Sequence, residues 1–191
     1  MAKPYSIRTD REFMLAWNAM SSFKKAQDIL SLLNKSIEAG KHPVSMSLFG
    51  AICGYYAAPF MSSNNLGCLP AKNLISARNK KLHESMLKLR NEVFMHLDAD
   101  VELFGVKYAT NPRIIVWQDK TITIEAKSWL PNGFKLIEIE TLLRKLVELL
   151  HGHALEYIKN KLQGMDLPPG EYVVVTERGS LKLNACREHG G

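Results

Sequence analysis

Apolar residues recur at helical spacing through Phe13, Trp17, Met20, Phe23, Leu30, Leu33 and Ile37, and the run stops at Gly40. Residues three and four apart share one face of a 3.6-residue helix, so the pattern predicts a long amphipathic first helix over about 9–39. Thr9 followed by Glu12 has the form of a capping box, in which each side chain satisfies a backbone N–H that the first turn leaves unbonded. After a turn at Lys41-His42-Pro43, a second helix is expected over about 46–59, ending near Pro59 and followed by a Ser62-Ser63-Asn64-Asn65 loop. The pair forms a helical hairpin.

A third helix is predicted over about 75–97, opening on the polar cluster Arg78-Asn79-Lys80-Lys81. A fourth is predicted over about 137–163, where Ile139, Leu142, Leu143, Leu146, Val147, Leu150, Leu155 and Ile158 keep helical phase until Gly164 and Pro168-Pro169. Period-two segments predict two small β-hairpins, at about 113–125 between the third and fourth helices and at about 171–183 in the tail. The expected fold class is mainly α, a single domain over 1–191 built as a four-helix bundle with one hairpin inserted and one appended.

Hydrophobic residues at 46% and charged residues at 23% allow a sizeable core and exclude disordered or fibrous classes. The most apolar stretch, 44–61, contains two glycines and a proline and reads as a buried helix rather than a membrane span. With no apolar run near the N-terminus to direct export, a cytoplasmic protein with no membrane partner is expected. The cysteines Cys53, Cys68 and Cys186 are odd in number and never form a CxxC pair, which argues against a disulfide framework and a structural zinc site. The excess of 25 Lys and Arg over 19 Asp and Glu, a formal net charge of +6, favours polyanionic partners such as RNA. No GxxxxGK[ST], GxGxxG or GxSxG motif is present, so nucleotide hydrolysis, dinucleotide chemistry and α/β-hydrolase activity are disfavoured, and no cofactor or metal is expected.

The third helix breaks its own pattern. At about 100° per residue, Leu97, Met86, Phe94, Val93 and Leu87 lie within roughly 60° of Arg90, which puts a permanent cation in the apolar stripe. Such a group needs a partner, an interface or a cleft. His96 falls about 120° to one side and Asn91 about 100° to the other, so the three converge only if the helix bends or if two copies pack across a dimer axis.

The run Leu89-Arg90-Asn91-Glu92-Val93-Phe94-Met95-His96-Leu97-Asp98 resembles the signature of the HEPN family, an arginine followed by a polar residue and then, several positions on, a histidine near the end of a bundle helix. The order of helices over Thr9 to Leu162 is similar to the HEPN four-helix bundle, and the similarity is greatest to stand-alone proteins of abortive-infection or toxin type. The resemblance implies a metal-independent endoribonuclease, acting as a homodimer in defence or in a toxin–antitoxin pair. Within it His96 would exchange protons, Arg90 would bind the scissile phosphate and Asn91 would orient one of these groups, leaving 2′,3′-cyclic phosphate ends. Met95 is a departure, since a small residue often precedes the histidine.

Other residues have functional and ordinary readings side by side. His83, about 20° from Arg90, either lines the same groove or is a satisfied core residue. Tyr55 and Tyr56, with Arg78, Lys80 and Lys81, offer base stacking and phosphate contacts for RNA, or else core packing and a solvated face. His151 and His153 point to different sides of a helix and are poor metal ligands together, and Asp98 with Asp100 lacks further acidic ligands. The alternative function is a non-catalytic interaction or scaffold module of the same fold, in which Arg90 pairs with a buried carboxylate.

Overall fold

The computed structural model describes residues 5–39, 42–61, 66–94, 100–103, 106–109, 113–116, 122–125, 133–165, 167, 169–170, 172–177 and 180–185. The fold is mainly helical. Helix α1 spans Asp10–Glu38, α2 His42–Ala57, the single turn α3 Ala71–Leu74, α4 Lys80–Lys88 and α5 Gly133–Leu162. Strands β1 (Asp100–Leu103) and β2 (Val106–Ala109), β3 (Arg113–Val116) and β4 (Ile122–Glu125), and β5 (Tyr172–Glu177) and β6 (Ser180–Ala185) form three antiparallel pairs.

The capping box forms as expected: Thr9 Oγ1 accepts from Glu12 N at 3.2 Å, and Glu12 Oε2 accepts from Thr9 N at 3.0 Å. Helix α1 then buries Phe13, Ala16, Met20, Phe23, Ala26, Leu30 and Leu33 against α2 and α5. The small alanines on this stripe let neighbouring helices approach closely. Trp17, placed on that stripe by its spacing, is instead 53% exposed and stacks on Phe13 from outside.

Helix α2 starts earlier than its sequence suggests, at His42, because Pro43 is acceptable in a first turn where its missing N–H would have no helical acceptor. It is apolar nearly all round and buries Phe49, Ile52, Cys53 and Tyr56. Ser36 and Ser45, both buried, share a hydrogen bond of 2.9 Å between α1 and α2. Helix α5 lays Leu136, Ile139, Leu142, Leu143, Leu146, Leu150 and Ala154 on the same core, which extends as one cluster from Tyr5 to Leu181.

Two further features depart from the sequence reading. The expected third helix over 75–97 is interrupted: Ile75 and Ser76 are extended, a 3₁₀ turn follows at Ala77–Asn79, and α4 runs only to Lys88 before a π-helical segment, Leu89–Phe94. The insertion before α5 carries two hairpins, β1–β2 as well as the expected β3–β4. The tail hairpin β5–β6 is joined to the bundle through Asp10, whose carboxylate accepts from Tyr157 Oη at 2.6 Å, from Leu181 N at 2.9 Å and from Lys161 Nζ. One α1 side chain thus holds α5 and β6. Among the described residues, no helix is long and apolar enough to cross a membrane.

Candidate functional site

Helix α4 buries Leu82, His83, Ser85 and Met86, and Leu89 just beyond it is also enclosed. Taking Arg90 as origin, Met86, Leu82 and Leu89 lie about 40°, 80° and 100° to one side and His83 about 20° to the other, so Arg90 stands towards one edge of the buried face rather than in its middle. Its residue is accordingly half-buried and Asn91 is exposed. Arg90 Nη1 donates to Asn91 Oδ1 at 2.9 Å.

The backbone around this pair is π-helical. A π segment closes its bonds one residue later than an α-helix and turns the following side chains out of their ideal phase, and such segments are frequent at functional sites. The winding changes at Leu89, at the pair itself. Among the described residues no carboxylate pairs with Arg90. His96 and Met95 lie outside the described residues, as do Asp98 and the side chains of Glu92, Val93, Phe94 and Asp100.

Two of the candidate RNA-contacting residues, Tyr56 and His83, lie in the core. Tyr56 is fully enclosed, and its ring packs edge-on and tilted among Phe23, Phe60 and His83, so neither face is open to a base. His83 is 7% exposed and lies 2.7 Å from Tyr56 Oη through Nδ1. Burial lowers its pKa below the usual histidine value, partly opposed by Glu84, so it is a neutral core residue rather than a lining of Arg90's surface. The adjacent tyrosines diverge: Tyr55 is on the surface, with Lys25 Nζ 5.7 Å from its ring centroid.

Arg78, Lys80 and Lys81 are exposed at the start of α4. Lys80 faces Glu84 at 3.8 Å in a solvated pair of little energetic weight. Arg78 and Lys81 instead line a groove of about 400 Å³, whose opposite wall is α5 through Lys135, Glu138, Thr141 and Lys145. These α5 residues were not singled out from the sequence, although their spacing of three, three and four residues is that of one helix face. His153 lies 3.8 Å from Glu156 and edge-on to Tyr5, while His151 is exposed. Among the described residues, no group of three or more His, Cys, Asp or Glu side chains is gathered as a metal site would require.

No family model matches the chain, and no curated protein or solved structure matches it at a significant level.

Proposed function

We propose that the protein is a metal-independent endoribonuclease of HEPN type. The observation that carries this reading is the hydrogen-bonded Arg90–Asn91 pair in a π-helical turn at the end of α4. A guanidinium at the edge of a core, held by a neighbouring amide and facing no described carboxylate, keeps most of its donors for a phosphate. Six residues on, His96 supplies the proton-transfer group that the chemistry needs.

In this reaction the ribose 2′-oxygen attacks the adjacent phosphorus as its proton passes to a base, and the bond from phosphorus to the 5′-oxygen breaks as that oxygen receives a proton. His96 serves one of these transfers in each of its two charge states. Arg90 binds the non-bridging oxygens and stabilises the charge they gain in the transition state. Asn91 fixes the guanidinium through its side-chain oxygen. The products are a 2′,3′-cyclic phosphate and a 5′-hydroxyl, since the nucleophile is internal to the substrate. In this reading two copies bring their motifs face to face, and the protein serves defence or one side of a toxin–antitoxin pair.

The test is digestion of structured RNA in EDTA by wild type, Arg90→Ala and His96→Ala, with folding checked by circular dichroism and product ends identified chemically. Cyclic-phosphate products lost in both variants are expected. Equal inactivity of all three proteins on varied RNAs would instead favour the non-catalytic interaction module.

A further inference from the structure

The groove between the start of α4 and the first half of α5 is independent of Arg90. Lys81 precedes Arg90 by nine residues, which on a helix places them roughly 180° apart around the axis. Arg78, Lys81, Lys135 and Lys145 contribute four cations to the groove, and Glu138 is the single carboxylate among its described lining residues. That carboxylate is neutralised locally, because Lys135 Nζ donates to Glu138 Oε2 at 2.8 Å. Thr141 adds a hydroxyl able to donate to an oxyanion.

The cations are also placed against the helix field. The first turn of α4 contains no acidic residue, and Arg78, Lys80 and Lys81 cluster at the end where the aligned peptide dipoles are positive. The N-cap residue, Asn79, makes no side-chain capping hydrogen bond. Like charges gathered at the positive end of a helix repel it and one another, so the arrangement lowers stability when empty and is relieved when an anion enters. Several cations spread over two helices suit successive phosphates better than one compact anion.

We propose that this groove binds consecutive phosphates of an RNA strand, as a docking site separate from the cleavage motif. The choice of RNA rests on the ribonuclease reading above; the preference for adjacent phosphates rests on the groove alone. Arg78 and Lys145 from opposite walls bind backbone oxygens, contacts that hold a strand in position and carry no sequence information.

The experiment measures binding of a labelled oligouridine by fluorescence anisotropy over a series of salt concentrations, in an Arg90→Ala background so that the strand stays intact. Adding Arg78→Glu and Lys145→Glu, both at exposed positions, should weaken binding by at least about tenfold and reduce the salt slope by about 1.4, the loss of two phosphate contacts on a single strand. Lys24→Glu with Lys159→Glu, also exposed, changes net charge equally away from the groove and should have a much smaller effect. The proposal is overturned if the groove pair leaves affinity and slope unchanged, or if the control pair weakens binding as much. Inorganic triphosphate that displaces the strand at equal concentration would overturn the assignment to RNA in favour of a small polyphosphate. Cleavage by wild type, measured separately, keeps the two readings apart: a groove effect without cleavage sinks only the ribonuclease, and cleavage with unchanged groove binding sinks only the docking site.

Discussion

Tyr56 on α2 and His83 on α4 meet inside the core, with Tyr56 Oη 2.7 Å from His83 Nδ1, Phe60 packed against both rings and Phe23 against that of Tyr56. The contact joins α2 to α4 with a polar bond in an otherwise apolar layer. Tyr56→Phe keeps the ring packing but leaves the imidazole nitrogen unsatisfied, which should lower stability by about 1–3 kcal/mol. Denaturant unfolding measures it, and a loss below about 0.5 kcal/mol would mean that the hydrogen bond contributes little beyond the solvent interactions it replaces.

The same histidine sets an acid limb. Its pKa is depressed by burial, so below its ordinary value of about 6.5 the unfolded chain takes up a proton more readily than the folded one. Stability should therefore be at its full value above that pH, fall as pH drops through the folded pKa, and level off once both states are protonated. His83→Gln should flatten this part of the pH–stability curve. An unchanged curve would assign the acid limb to other groups.

Asp10 is expected to govern attachment of the tail hairpin. Burial alone would raise its pKa, but hydrogen bonds from Lys161, Tyr157 and Leu181 N, with the charge of Lys161, outweigh that and hold the carboxyl below its usual value. Its contribution is thus present above about pH 3.9 and lost as pH falls through the lower folded value. Asp10→Asn should cost about 1–3 kcal/mol and speed hydrogen exchange at the Leu181 amide. Unaltered exchange at Leu181 would show that β6 is held by packing instead.

Helices α1 and α5 were legible because their apolar residues keep one phase for many turns and their ends carry a capping box or a glycine, and α2 because it is a long apolar run bounded by prolines. The break between α3 and α4 was not, since no proline or glycine lies between Pro70 and Lys88 and the extended backbone at Ile75 and Ser76 leaves no mark on spacing. Hairpin β1–β2 was hidden for a different reason. Val101 with Leu103 and Val106 with Tyr108 do alternate, but Leu103-Phe104-Gly105-Val106 between them reads as one apolar run.

At the candidate site, sequence periodicity isolated Arg90, yet an ideal helix put the arginine too deep and could not foresee π winding. Periodicity also could not separate Tyr55 from Tyr56, because only the position of α4 decides which ring is covered. The groove was half visible: a basic cluster is read along one helix, whereas its second wall on α5 is created by packing.

Thiol reactivity gives an independent check of α2. Cys53 is fully buried and its pKa is pushed up by burial, while Cys68 is exposed. In a Cys186→Ser background, a maleimide should label Cys68 readily and Cys53 only after denaturation. Two fast-reacting thiols in the native protein would contradict the buried placement of α2.

Arg90→Lys separates the charge of the guanidinium from its geometry. A lysine keeps the positive charge but has no planar fork to span two phosphate oxygens or to donate sideways to Asn91. If Arg90 stabilises the transition state, Arg90→Lys should lower kcat/KM by about 10²-fold, in the range found when a single charge-stabilising donor is removed. Asn91→Ala, which frees the guanidinium without removing it, should lower kcat by about tenfold and leave KM nearly unchanged, the pattern of an interaction that matters in the transition state. Stability should change by less than about 1 kcal/mol in both, because neither side chain is fully buried. Steady-state cleavage of a labelled RNA and parallel melting curves decide the matter: wild-type rates in Arg90→Lys would sink the assigned role, and a large stability loss would return Arg90 to the structure of the bundle.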